Sequence, residues 1–98
     1  MNREHLAQLI RDKGYYAQVE SQDSVHCAQK LDGDKFVGVN FTVIKDESRW
    51  EIAVGGRLYR CPNGSNILDI SLDLLSGPSV ALTALPTAFC KTYGIVLA

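Results

Sequence analysis

No apolar run in this 98-residue chain approaches the roughly 20 residues of a membrane-spanning helix, and the first residues carry Arg3, Glu4 and His5 where a signal peptide needs an apolar stretch. A cytoplasmic protein with no membrane partner is expected. There is no surplus of positive charge, since the formal net charge is -1, which argues against a nucleic-acid partner because such proteins normally show a basic stripe. Cysteine is scarce and unpatterned. Cys27, Cys61 and Cys90 are an odd set with no C-x-x-C spacing, so they read as free thiols, without the framework of a disulfide scaffold or a zinc site. Phosphate-cradling and dinucleotide-binding glycine motifs, the G-x-S-x-G elbow and the H-E-x-x-H zinc motif are all missing. Neither a cofactor nor a metal is expected, and no catalytic residue stands out.

Charge is also missing from one particular place. From Leu75 to Ala98 the single charged side chain is Lys91, while the other acidic and basic residues all precede it. A quarter of the chain therefore has little to show to water. It is either the lid of the core or part of an interface.

With nearly half its residues apolar, the chain has enough material for one modest core, and a single domain spanning residues 1–98 is expected. Its centre is the run from Lys35 to Arg60. Val37, Val39, Phe41 and Val43 alternate with Gly38, Asn40 and Thr42, and Trp50, Ile52 and Val54 repeat the alternation, as strands with one buried face do. A four-residue turn, Lys45 to Ser48, would set Ile44 opposite Arg49, Val43 opposite Trp50, Phe41 opposite Ile52 and Val39 opposite Val54. Gly55-Gly56 then supplies a two-residue hairpin turn, because glycine reaches the positive φ angles that such turns use. Its register sets Ile52 opposite Tyr59, Trp50 opposite Cys61 and Glu51 opposite Arg60.

Upstream, Asn2 to Lys13 reads as a capped helix ended by Gly14, and Tyr15 to Glu20 and Val25 to Leu31 read as two more strands. Downstream, Ser65 or Asn66 caps a segment through Leu75 whose apolar spacing fits a helix, although Leu68 to Leu74 also alternates as a strand would. Helix is favoured, because aspartate is depleted in strands and Gly77-Pro78 supplies a stop. Pro86 to Tyr93 reads as a last short helix followed by an apolar tail. The expected fold is α+β: an antiparallel meander of about five strands, with an N-terminal helix and one or two C-terminal helices packed on one face.

The face away from the helices gathers Glu20, His26, Asn40, Thr42, Glu51 and Arg60, the one convergent polar set in the sequence. A histidine beside a carboxylate can act as general acid or base, so this face is a candidate small-molecule site; the bland alternative is a solvated sheet face. Asp69 and Asp73 at helical spacing are ordinary solvated carboxylates, and Arg49, Arg57 and Arg60 are too scattered for an anion patch. Cys27 and Cys61 are expected in the core. The leading functional expectation is a non-enzymatic protein-interaction or assembly module whose partner is a second copy, as a two-fold dimer, or another protein; self-association is expected through the charge-poor quarter or an exposed sheet edge, with Val80, Leu82, Leu85, Phe89, Tyr93, Ile95 and Leu97 as interface candidates.

Overall fold

A computed structural model describes residues 1–98. Helix α1 (Arg3–Asp12) is followed by strands β1 (Tyr16–Val19), β2 (Ser24–Asp32), β3 (Lys35–Asp46), β4 (Arg49–Val54) and β5 (Arg57–Arg60). Helices α2 (Ile67–Leu75) and α3 (Thr87–Tyr93) then lead to a short strand β6 (Val96–Leu97). The six strands form one antiparallel sheet in sequence order. The class is α+β, with one strand more than expected. That strand comes from the apolar tail: Leu97 pairs with Tyr59 and Val96 with Arg60. No helix is long and apolar enough to cross a membrane.

Both amphipathic helices begin where a side chain can take an orphan N–H. The Asn2 side chain accepts from the His5 amide at 2.8 Å, and the Asn66 side chain accepts from the Asp69 amide at 3.2 Å. The second cap resolves the ambiguity of residues 67–75 in favour of helix. α1 buries Leu6, Ala7 and Ile10; α2 buries Ile67, Ile70, Ser71, Leu74 and Leu75. Against them the sheet presents Ala17, Val25, Cys27, Val39, Phe41, Val43, Trp50, Ile52 and Val54. Leu85 and Ile95 close the same core, and the Leu85 amide donates to the Tyr59 hydroxyl at 3.1 Å. Within the charge-poor quarter Leu75, Leu85 and Ile95 are buried as part of the lid, while Val80, Val96 and Leu97 stay exposed.

Two details of the central strands differ from expectation. The β3–β4 turn is Glu47-Ser48 alone, so Asp46 faces Arg49, Lys45 faces Trp50 and Val43 faces Ile52. The expected pairs are displaced by two residues, which leaves every side chain on its expected face. The tighter turn lets Asp46 Oδ1 accept from the Glu47 amide at 3.0 Å and sets the Lys45 ammonium 4.7 Å from the centre of the Trp50 ring. The β4–β5 register around Gly55-Gly56 is as expected.

The second difference is a β-bulge. The β2–β3 register shifts between Ala28 and Lys30, opposite Gly38, whose φ of 80° is open to glycine but strained for other residues. The alternation read from Val37 to Val43 therefore breaks at Gly38. Val37 is 41% exposed instead of buried. The bulge is held by Gln29: its Nε2 donates to the Leu75 and Gly77 carbonyls at 3.0 and 2.9 Å, and its Oε1 accepts from the Val39 amide at 2.7 Å. One amide ties the strand to the end of α2.

Candidate functional site

β3 is longer than its neighbours can cover. β1 pairs with β2 only as far as Ala28, and β4 joins β3 only from Thr42 onward, since it turns back at Gly55-Gly56. Beyond those points β2 and β3 continue as a two-stranded arm ending at the Gly33-Asp34 turn. Where β4 stops, the sheet has a notch.

The notch is an open cleft of about 490 Å³, lined by His26, Asn40, Phe41 and Thr42 on one side and by residues 53–58 and Leu82 on the other. Three of the six expected polar residues, His26, Asn40 and Thr42, meet there. Glu20 touches the group from outside the cleft, 3.6 Å from His26 Nδ1. Glu51 and Arg60 do not join it. They face each other across β4 and β5 as a 3.4 Å ion pair in which Glu51 is buried, so each charge is already answered. The cation that does reach the cleft is Arg57, which has no acidic partner. Its position was hidden in the sequence because the notch depends on where β4 ends.

His26 is engaged on every side. Nδ1 lies 3.2 Å from the Thr42 hydroxyl as well as beside Glu20, while Phe36 stacks on the ring at 4.5 Å and Tyr16 meets it edge-on. Nε2 is buried without a hydrogen-bond partner. With both oxygen partners on the Nδ1 side, the tautomer protonated there fits best, and the free lone pair on Nε2 is shut away from any substrate. A general base needs the opposite arrangement.

The thiols are equally unsuited to chemistry. Cys27 is fully buried and its thiol is pushed up to about 12 by burial. Cys61 rises to about 11, through burial first and then through the charges of Cys90 and Glu51. Burial also raises Cys90, which is partly exposed on α3. Thiolates are the reactive form, so at neutral pH a thiol reagent is expected to label Cys90 first, and Cys27 and Cys61 only on unfolding. Rapid native labelling of Cys27 would contradict its burial. Because folding favours the protonated thiol, this contribution to stability is complete below the ordinary thiol value of 9.0 and fades as pH rises towards 12.

On the helix side, a groove of about 220 Å³ runs between Val39 and the segment after α2, with Val80, Leu82 and Phe89 along it. Of the seven interface candidates, Leu85 and Ile95 are core residues, Leu82, Phe89 and Tyr93 are partly covered, and Val80 and Leu97 are exposed. The Tyr93 hydroxyl donates to Asp73 at 2.5 Å, joining α3 to α2, and that bond raises the tyrosine above its usual range. Asp69 is occupied by the side chain of Asn66. No three His, Cys, Asp or Glu side chains come together in a metal-holding group. Comparison with protein-family models, curated proteins and solved structures gives no match to this chain.

Proposed function

We propose that this protein is a small non-enzymatic interaction module that assembles with itself into a dimer. The observation that carries the reading is the amount of large apolar side chain outside the core of so short a chain. In the charge-poor quarter Val80, Val96 and Leu97 are 55%, 60% and 57% exposed, and Leu31, Phe36 and Val37 are exposed together on the projecting arm. Single exposed apolar residues are ordinary, but several on one projection are characteristic of a surface that another chain covers. The buried thiols of Cys27 and Cys61 and the enclosed His26 fit a binding role better than a catalytic one. Three free cysteines also suit the reducing cytoplasm.

A small-molecule site in the cleft is the second reading, favoured by its volume, which lies within the range of ordinary ligand pockets. Native mass spectrometry distinguishes the two. A bound metabolite that disappears in His26→Ala supports the pocket; a mass of twice 10.8 kDa at micromolar concentration supports self-association. A monomer at every concentration would end the leading reading.

A further inference from the structure

Two chains add to each other most readily at sheet edges, where N–H and C=O groups have no strand to meet. This sheet has four such places, one of them the outer side of β2 from Gln29 to Asp32, a short stretch that begins at the β-bulge. On β1 the edge is guarded, because the Arg11 side chain of α1 donates to the Ala17 carbonyl at 2.8 Å. β6 offers only two residues. The longest lies within the sheet: from Lys35 to Phe41, β3 has β2 on one side and no strand on the other. Ser79 stands near Gly38, but it does so together with the Gln29 side chain, which bonds the end of α2 on the helix side of the sheet. The open stretch is also the two-stranded arm, and an isolated hairpin is marginal in water until something packs on it.

Charge indicates what that something is. The inner end of the open edge is the notch, where Arg57 is unanswered and none of the lining residues is acidic. The outer end is the arm tip, where Asp32 and Asp34 form no ion pair. Lys30 and Lys35 on the same arm balance those carboxylates, so two arms can approach without net repulsion. Asp34 and Asn40, a notch residue, lie equally far from Val37 on either side. A two-fold axis near Val37 therefore carries the arm tip of each copy into the notch of the other.

We propose that the chain dimerises by antiparallel pairing of the open β3 edges of two copies, with Asp34 of each copy set against Arg57 of the other and Phe36 and Val37 covered between them. This rests on the self-association reading and specifies its surface. Each contact occurs twice, as two-fold symmetry requires.

Sedimentation velocity on wild type, Arg57→Glu, Asp34→Arg and the double variant tests it. Both substituted residues lie on the surface, and the melting curves of the three variants should match wild type. Either single reversal places like charges opposite each other twice and is expected to raise the dimer dissociation constant about tenfold or more, whereas the double reversal restores it. A dimer indifferent to both single reversals would overturn edge pairing while leaving self-association intact. A wild-type monomer at every concentration would overturn both.

Discussion

Phe41→Ala is expected to destabilise the protein by about 3 to 5 kcal/mol, the cost of emptying a well-packed aromatic site. Phe41 is the largest of the fully buried side chains, lies on β3 opposite Cys27 of β2, and packs within the cluster that includes Leu6, Ile10 and Ile70. It sits at the inner end of the arm, where only β2 continues beside it, so few strands can move in to fill the space. A domain of this length has a total stability of roughly 5 to 10 kcal/mol, so the variant should retain only part of its folded population under mild denaturant. Urea titration followed by Trp50 fluorescence reads the shift. A midpoint close to wild type would place Phe41 outside the core.

Gln29→Leu has the second largest expected effect, about 2 to 4 kcal/mol, and it arises from polar groups alone. Leucine matches glutamine in bulk but satisfies none of the three backbone groups that Gln29 holds: the Val39 amide and the Leu75 and Gly77 carbonyls. Each lost bond costs about 1 kcal/mol, more where water cannot replace it. Gln29→Glu is the informative companion. Its carboxylate can still accept from Val39 but has no proton to offer the two carbonyls at neutral pH, so it should be no better than leucine. A Gln29→Leu protein with wild-type stability would mean that water substitutes freely and that the bulge does not depend on this side chain.

Where local chemistry was sufficient, the sequence was readable. Asn2 and the pair Ser65-Asn66, of which Asn66 is the cap, announced their helices, Gly77-Pro78 closed α2, and Gly55-Gly56 set the β4–β5 register, because caps and glycine turns act within a few residues. The polar stretch Lys45 to Ser48 was compatible with two loop lengths that differ by two residues and preserve the same faces, so alternation could not choose between them. Gly38 did carry a signal, since a glycine inside a strand often marks a bulge; regarded as one more outward position, it concealed the exposure of Val37 and the end of the alternation.

Long-range contacts were beyond local reading. β6 exists because two residues of the tail meet the edge of β5, and Gln29 matters because α2 ends beside it. The candidate site was legible in part: the face shared by His26, Asn40 and Thr42 followed from period two. The exchange of Arg60 for Arg57 did not, because it depends on Glu51 capturing Arg60 and on β4 stopping short of the arm.

Amide hydrogen exchange along β3, measured from dilute to concentrated protein, tests the open edge most directly. Between Lys35 and Asn40, the amides not already bonded to β2 or to Gln29 should gain protection as concentration rises, while those of α1 and β4 remain unchanged. Exchange along that stretch that is equally fast at every concentration would contradict the pairing of two copies through β3.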